Sequence, residues 1–367
     1  MKRVLLPERA NWQQAHQEIG FDYYNLPSRD GSMYWSEGVA YEFSLKQIEQ
    51  LEDASNELHQ MCLEVAGGMI QRGHYPEYFQ IHPAAIPLIE HSWKNQAPML
   101  YGRFDFAYDG QAIKMLEYNA DTPTGLLEAS VAQWHWIEQV ENIANRDQFN
   151  SIHEKLIERW KQLYPARSRV HFAACQEAGR EDWGNLEYLM DTAFQAGLNV
   201  SELSMENIGW NGTAFVDLHQ QEIQHLFKLY PWEWIWEENF SQFLKPETEW
   251  IEPCWKMLLS NKALLIELWK RFPNHPLLLE THAYDAHAHY AGKWVRKPIL
   301  AREGANIHIL QNNVDCGAAS GSFYFDDYDK YGYVMQRWVK TPLHEGMLPT
   351  LGLWMVGDEC AGMSLRE

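Results

Sequence analysis

A predicted β-hairpin is the feature that most constrains the fold of this chain. The sequence LYGRFDFAYDGQAIKMLEYNAD, residues 100–121, contains two strand-like runs joined at Asp109-Gly110, a dipeptide typical of tight turns. If the loop has three residues, 108–110, the odd-numbered residues of both strands lie on one face, whereas a two-residue loop would divide them between the faces. With the three-residue loop, that face carries Arg103, Asp105, Glu117 and Asn119.

These four side chains form a set that suits a metal–phosphate site. Carboxylate and amide oxygens are the hard ligands that Mg²⁺ prefers, so Asp105, Glu117 and Asn119 are candidate magnesium ligands. The planar guanidinium of Arg103 could hold phosphoryl oxygens beside them. The alternative is a surface ladder of cross-strand ion pairs that only stabilises the hairpin, and the spacing does not separate the two interpretations.

The charge balance disfavours some classes of partner. With 30 Lys and Arg against 50 Asp and Glu, the formal net charge of −20 should repel nucleic acid and anionic membranes. A cationic partner or a metal fits better, although a solvated acidic surface would explain many of the acids equally well. The 46% of apolar residues among 367 can bury a large core, and the length favours two or three substructures.

The cysteines and the hydropathy indicate the compartment. Five widely spaced cysteines with no C-x-x-C pair are typical of reduced thiols. The apolar run before Pro7 is too short for a signal peptide, and no stretch of about 18 apolar residues could span a membrane. We therefore expect a cytoplasmic protein that has no membrane partner.

Hydrophobic spacing predicts helices and strands in alternation. Ser44 should cap a long amphipathic helix that continues to Arg72. The other predicted helices are 126–139, 150–163, parts of 173–197 and 221–229, and a short helix that ends at Pro273. The predicted strands of the last third are 294–300, 306–310, 322–325, 333–339 and 352–356. The pattern favours an α/β or α+β fold whose substructures interleave.

A second polar segment follows a predicted strand in the last third. The sequence VRKPILAREGANIHI places Lys297 in the strand and a small polar loop, 302–306, after it. Such a loop could fold over a triphosphate through its backbone N–H groups, with Lys297 meeting the negative charge. It is neither a Walker loop nor a dinucleotide fingerprint, and a purely structural role for the lysine and the glycine stays open.

Four segments together resemble a known family. EYNADTPTGLLEAS, RFDF, SNKALLIELW and VRKPILAREGANI resemble the synthetase module of glutathionylspermidine synthase and its stand-alone relatives, over most of the chain from Phe21 onward. The resemblance implies an ATP-grasp carboxylate–amine ligase with mixed and antiparallel sheets and interleaved helices. It implies one domain, 1–367, in which about 1–255 binds magnesium and substrate and about 256–367 binds nucleotide.

The resemblance also assigns roles to single residues. The implied magnesium ligands are Asp105, Glu117 and Asn119. The implied ATP-binding residues are Arg103, Lys262, Lys297, Glu303, Gly304 and Gln336. The implied substrate-binding residues are Arg103, Thr122, Glu181 and Asp182, and the implied catalytic residues are Arg103 and Arg366.

The implied reaction is amide formation from a carboxylate and an amine. ATP and two Mg²⁺ ions would convert the carboxylate, that of a glutathione-like peptide or another acid, into an acyl phosphate that a polyamine or another amine attacks. No amidase module with a Cys/His pair precedes Met1, so only the synthetic half is implied.

Three alternatives remain at this point. The 17 tryptophans and many acids could line a sugar cleft in which paired carboxylates cleave a glycosidic bond. A non-catalytic binder of polyamine or peptide would keep the same fold. His282, His287 and His289 could form a zinc site, although a loop that closes over nucleotide explains them as well.

Overall fold

The computed structural model describes residues 1–27, 33–141, 143, 145–319, 322 and 324–367. These residues form eight α-helices: α1 Trp12–Glu18, α2 Leu45–Arg72, α3 Ile86–Lys94, α4 Gln133–Gln139, α5 Ile152–Leu163, α6 Arg180–Gln195, α7 Trp232–Ile235 and α8 Leu264–Arg271. A π-helical turn, Glu128–Ala132, leads directly into α4. None of these helices is long and apolar enough to cross a membrane.

The same residues form 17 strands. In chain order they are β1 Lys2–Leu5, β2 Val39–Glu42, β3 Tyr101–Tyr108, β4 Ile113–Asn119, β5 Arg169–Ala174, β6 Asn199–Ser204, β7 Gly209–Trp210, β8 Phe215–Val216, β9 His225–Leu229, β10 Glu249–Ile251, β11 Thr281–Ala283, β12 Lys293–Pro298, β13 His308–Gln311, β14 Val314–Ala318, β15 Tyr333–Arg337, β16 Thr350–Val356 and β17 Glu359–Arg366.

The hairpin β3–β4 belongs to an antiparallel sheet with the order β17-β16-β3-β4. The last two strands of the chain therefore lie beside β3, and Gly352 of β16 pairs directly with Asp105. A Cβ atom at Gly352 would lie 3.0 Å from Cδ of Arg103 and 2.9 Å from Oγ of Ser364. The glycine thus leaves the space that the Arg103 side chain occupies.

The predicted three-residue loop of this hairpin is wrong, because the first strand pair is Tyr108 with Ile113 and four residues, 109–112, connect the strands. The carboxylate of Asp109 closes this loop by accepting the N–H groups of Gln111 and Ala112 at 2.9 and 2.6 Å. This loop alone would have placed the odd-numbered residues of the two strands on opposite faces.

A β-bulge restores the predicted face. The register shifts between Asp105 and Phe106, where Leu116 is the extra residue on β4. Beyond the bulge Asp105 pairs with Glu117 and Arg103 pairs with Asn119. Directly opposed residues of antiparallel strands point to the same side, so the predicted common face of these four residues is confirmed.

The second sheet is parallel and has the order β10-β9-β5-β6. Its strand β9 corrects the helix predicted within 221–229, because β9 pairs with both β5 and β10, and its residues Leu226, Phe227 and Leu229 are buried. The helical part predicted within 173–197 is α6, which packs against β5 and β6.

The third sheet, with the order β11-β15-β12-β13-β14, carries Lys297 on β12 and Gln336 on β15. The strand predicted for 322–325 is wrong for Ser322, Tyr324 and Phe325, and Phe323 lies outside the described residues. Ser322 instead bonds to the preceding loop, since its hydroxyl donates to the carbonyl of Gly304 at 2.7 Å.

The long predicted helix is confirmed as α2, which begins after a capping box formed by Ser44 and Gln47. Its buried face includes Leu51, Leu58 and Met69 and contributes to a large core that also covers one side of β3 and β4. A second core lies between α5, α6 and the parallel sheet. The common face of the hairpin therefore lies on a rigid, well-packed support.

Candidate active site

Asp105 lies at the centre of the common face and is held by two arginines. Nε of Arg103 lies 2.8 Å from one carboxylate oxygen, and Nη2 of Arg366 lies 2.5 Å from the other. Burial alone would raise the pKa of Asp105, but the two guanidinium groups outweigh it and hold that pKa well below its usual range. The structure thus brings both predicted catalytic arginines to one predicted magnesium ligand.

Glu117 lies across the hairpin from Asp105 and faces the two predicted ATP-binding lysines. Nζ of Lys262 is 3.2 Å from its carboxylate and 2.7 Å from the carbonyl of Ala301. Nζ of Lys297 donates to the carbonyl of Leu116 at 3.1 Å, next to Glu117 in the chain. Lys262 precedes α8 and Lys297 lies in β12, so two separate parts of the fold bring their lysines to β4.

Lys297 is buried and only partly compensated. Its side chain also donates to Oε1 of Gln336 at 2.7 Å, and Gln336 in turn donates to the carbonyl of Met115 at 3.3 Å. Desolvation lowers the pKa of Lys297 to about 8, with Glu117 opposing this shift and Lys262 adding to it. An anionic ligand at this position would raise the pKa of Lys297 and favour its charged form.

Asn119, the third predicted magnesium ligand, ends β4. Its side-chain oxygen accepts the backbone N–H groups of Asp121 and Thr122 at 3.4 and 3.3 Å. The donor set of Asp105, Glu117 and Asn119 fits Mg²⁺ in kind, because all three supply oxygen and the two carboxylates are directly opposed.

Thr122 contacts the loop that follows β12. Its hydroxyl accepts a hydrogen bond from Arg302, which also forms an ion pair with Glu233 at 2.9 Å. The next two residues, Glu303 and Gly304, have positive φ angles of 52° and 73°, so the loop turns sharply there. The loop that sequence patterns predict over the phosphates therefore lies against the turn after β4.

Glu181 and Asp182 begin α6 and lie near the same loop. Burial raises the pKa of Asp182 to about 6, with further contributions from Glu181 and Glu303. The pKa of Glu181 is also raised, first by burial, while Thr124 and Arg103 act in the opposite direction. Arg103 donates to the carbonyl of Thr124 at 2.5 Å, which connects this acidic pair to the hairpin face.

Sequence reasoning missed several residues of this site. Arg302 was predicted only as part of the polar loop 302–306, and its contacts with Thr122 and Glu233 were not. Glu128 and Tyr34, whose side chains are hydrogen-bonded at 2.5 Å, are 94 positions apart and left no signal in the sequence.

The alternatives to a phosphate site gain no support from the geometry. No group of three His, Cys, Asp or Glu is arranged to hold a metal within the described part of the chain, so His282, His287 and His289 do not form a zinc site. The opposed carboxylates Asp105 and Glu117 are each paired with basic groups. Three of the tryptophans, Trp160, Trp232 and Trp354, are fully buried core residues.

Comparison with solved structures defines the class of fold. A glutathione synthetase-like effector from Globodera pallida, in its apo form, superposes with a TM-score of 0.59 at 9% sequence identity and covers 98% of this chain and 95% of its own. The chain thus has a glutathione synthetase-like, ATP-grasp type of fold.

Comparison of sequences defines the family. The family model for the glutathionylspermidine synthase preATP-grasp domain matches residues 3–367, so the chain belongs to this family. A protein of Haemophilus influenzae that is provisionally named an acid–amine ligase is 51% identical to this chain over 375 residues. The match covers 100% of this chain and 95% of that protein.

Two more distant relatives are longer than this chain. The trypanothione synthetase of Crithidia fasciculata is 26% identical over 98% of this chain, and the bifunctional glutathionylspermidine synthetase/amidase of Escherichia coli K12 is 25% identical over 87%. The matches span 59% and 55% of those two proteins. Family membership places this chain among the ATP-dependent ligases that form C–N bonds.

Proposed function

We propose that this protein is a carboxylate–amine ligase that uses ATP to join a glutathione-like peptide, or another small carboxylate, to a polyamine or another amine. The observation that carries the proposal is the convergence of four basic side chains on the directly opposed carboxylates Asp105 and Glu117. These basic side chains are Arg103, Lys262, Lys297 and Arg366, which come from four separate segments of the chain.

The nucleotide end of the site lies on residues from the last third of the chain. Lys262 and Lys297 supply positive charge for phosphate oxygens, and the loop at Glu303-Gly304 supplies backbone N–H groups above them. Gln336, which is buried beside Lys297, lies on the side where the adenine binds. In this proposal residues 256–367 chiefly bind nucleotide and residues 1–255 chiefly bind metal and substrate.

Magnesium belongs on the common face of the hairpin. Asp105, Glu117 and Asn119 would hold it, and bound Mg²⁺ neutralises the phosphate charge that otherwise repels a carboxylate nucleophile. Arg103 and Arg366 lie beside Asp105 and stabilise the charge on the transferring phosphoryl group.

The acid and the amine bind beyond Arg103. Thr122 and Arg103 contact the carboxylate substrate, which takes the γ-phosphoryl group to become an acyl phosphate. The half-buried acids Glu181 and Asp182 attract the positively charged amine, which displaces phosphate to form the amide. No covalent bond to the protein is needed, because positioning and charge neutralisation supply the catalysis.

A screen of ADP release tests this proposal. Purified protein with Mg–ATP is offered glutathione and other carboxylates, each crossed with spermidine, other polyamines and amino acids. We expect ADP release that requires both an acid and an amine, with the amide detected by mass spectrometry. ADP release that never depends on the amine would reject the ligase, and nucleotide binding without turnover for any pair would favour the non-catalytic binder.

The variant Lys297→Met connects this activity to the site. Loss of a preorganised charge should raise the activation free energy by about 2.7–4 kcal/mol, which is roughly a 10²–10³-fold loss of kcat/KM. The rise in melting temperature that Mg–ATP produces should disappear, while the melting temperature without nucleotide changes little. Lys293→Met is the matched control, since Lys293 lies on the same strand and packs over Trp338 at 3.9 Å. An unchanged nucleotide-induced shift in Lys297→Met would contradict the assignment.

A further inference from the structure

A buried cluster of two tyrosines and two carboxyl groups lies next to the proposed amine site. We call Tyr23, Tyr34, Glu128 and Glu181 the Tyr34 cluster. Glu128 lies in the π-helical turn before α4, where the wider turn changes the direction of side chains and where functional residues are often found. Glu181 lies in the first turn of α6 and, like Tyr34, is half-buried, so these two members are partly accessible while Tyr23 and Glu128 are buried.

Glu128 is incompletely hydrogen-bonded although it is buried. Its residue exposure is 9%, and the Tyr34 hydroxyl donates to its Oε1 atom at 2.5 Å. Its Oε2 atom and the hydroxyl of Tyr23 are buried without a hydrogen bond of normal geometry, although the two side chains are close enough for each to shift the pKa of the other. A buried carboxylate oxygen without a partner costs free energy unless it carries a proton or receives a ligand.

The hydroxyl of Tyr34 serves two carboxyl groups with one hydrogen. It donates to Glu128, and it also faces Glu181, whose pKa it lowers. Hydrogen bonds from the neutral hydroxyls of Tyr34 and Tyr23 do not remove the charge of the two carboxylates, so a proton or a bound cation is needed to lower the negative charge of the cluster. The other charged groups that act on its members are Arg103, Arg180, Arg366, Asp182 and Glu303.

The cluster connects to the proposed site of phosphoryl transfer through Thr124. Thr124 acts on Glu181 with its side chain, and its carbonyl accepts a hydrogen bond from Arg103, which also holds Asp105. Glu181 is thus close enough to interact electrostatically with both Glu128 and Arg103, and an ammonium group bound at Glu181 and Asp182 would be near both.

From this arrangement, and resting on the proposed ligase function, we infer that Glu128 is the acceptor of the proton that the amine substrate must lose, with Glu181 and Tyr34 as the path. Amide formation removes two protons from an alkylammonium group. One leaves with the displaced phosphate as hydrogen phosphate, and Glu128 takes the other to become a neutral carboxylic acid. The proton returns to solvent after the product leaves, so the carboxylate is regenerated.

The acidity of Glu128 suits this role. Burial and the nearby charge of Glu181 together raise its pKa to about 7, against the opposing effects of Tyr34 and Tyr23. A proton acceptor is most effective when its pKa is near the working pH, because it is then both deprotonated often enough and basic enough.

Hydroxylamine separates proton removal from acid activation. At about pH 8 hydroxylamine is mostly neutral and attacks an acyl phosphate without help, whereas an alkylammonium group resembles lysine and remains protonated. We expect Glu128→Gln to reduce ATP-dependent amide formation between glutathione and spermidine by about 10²-fold or more. Hydroxamate formation from glutathione, ATP and hydroxylamine should stay within about threefold of the wild type.

Matched variants and the pH profile complete the test. Glu138→Gln, an exposed glutamate on α4, should leave both reactions unchanged. The wild-type rate of amide formation should rise with pH through about 7, and Glu128→Gln should lack this rise. Equal loss of amide and hydroxamate in Glu128→Gln, or loss of neither, would overturn the role of Glu128 as proton acceptor.

A binding measurement distinguishes failure of this inference from failure of the ligase proposal. If the wild type forms neither amide nor hydroxamate from any acid, the ligase proposal fails. Titration of the wild type with spermidine near pH 7, in buffers of different ionisation enthalpy, should still show proton release, because the bound cation favours the ionised form of Glu128. Proton release that is unchanged in Glu128→Gln, or that is absent in the wild type, overturns the inference.

Discussion

Two buried carboxyl groups in this site have opposite acid–base character, and their neighbours explain why. Asp105 and Glu128 are both desolvated. Asp105 lies between two guanidinium groups that keep it ionised, whereas Glu128 faces another carboxyl group and two phenols. Burial therefore makes one carboxyl a fixed anion that organises cations and the other a group that can exchange a proton near neutral pH.

This contrast predicts how the stability of the Glu128→Gln variant changes with pH. The pKa of Glu128 rises from its ordinary value of 4.5 to about 7 on folding, so the folded protein binds more protons than the unfolded chain between these pH values. Wild-type stability should therefore fall as pH rises through this window, by about 3 kcal/mol for this group. Glutamine does not titrate. As the pH rises through this window, the free energy of unfolding of Glu128→Gln relative to that of the wild type should therefore increase by the same amount.

Denaturant unfolding of both proteins at about pH 4.5 and about pH 8 measures the difference. The comparison between the two pH values cancels any constant effect of the amide. A stability difference that does not change with pH would mean that Glu128 is not the titrating group.

At the scale of elements, the hairpin shows which features of the site a sequence can predict. Side-chain alternation is a local property, and it correctly placed Arg103 with Asp105 on one side of β3 and Glu117 with Asn119 on one side of β4. The four-residue loop and the bulge at Leu116 were not predicted. The longer loop and the bulge each shift the strand pairing by an odd number of residues, which exchanges the two faces of β4 relative to β3. The two effects therefore cancel. Nothing in the residue pattern marks Leu116 as the extra residue, because a bulge depends on the pairing partner.

The two opposed carboxylates of the hairpin should respond differently to loss of charge. The Glu117 side chain is 27% exposed and forms one ion pair, with Lys262, so Glu117→Gln should fold normally. The Mg²⁺ concentration needed for half-maximal ADP release should rise by at least about tenfold, because one anionic ligand is lost. Asn119→Ala should show a smaller effect in the same direction.

Asp105→Asn provides the contrast. The Asp105 side chain is 8% exposed and compensates both Arg103 and Arg366, so its loss should lower the free energy of unfolding by about 3–5 kcal/mol as well as activity. Thermal melts with and without Mg–ATP separate these effects. An unchanged Mg–ATP shift in Glu117→Gln would show that other residues hold the ions.

At the scale of the whole molecule, the site forms where distant segments meet. Arg366 at the end of the chain reaches Asp105, Arg302 pairs with Glu233, and Tyr34 bonds to Glu128. The family resemblance identified Arg366 as a candidate catalytic residue because it lies in a recognisable motif. The partners of Arg302 and Tyr34 could not be predicted from spacing, since burial and pairing over such distances depend on the packed tertiary structure.

A buried ion pair connects the antiparallel sheet of the site to the parallel sheet, and the stability of the protein should be sensitive to its loss. Asp121 follows β4 and Lys228 lies in β9; both side chains are fully buried, with Nζ 2.6 Å from Oδ1. The other oxygen of Asp121 accepts the N–H of Trp232 at 3.0 Å, next to the Glu233 that holds Arg302.

Lys228→Met should therefore lower the free energy of unfolding by about 3–5 kcal/mol, because it leaves a buried carboxylate uncompensated. Asp121→Asn combined with Lys228→Met should recover part of this loss, since no unpaired charge remains. Lys155→Met is the control, because Lys155 pairs with the exposed Glu359 at 3.0 Å and should cost no more than about 1 kcal/mol. Urea unfolding of the three variants measures these values. If Lys228→Met costs no more than Lys155→Met, the pair does not hold the two sheets together, and the turn that carries Thr122 must be positioned by Arg302 instead.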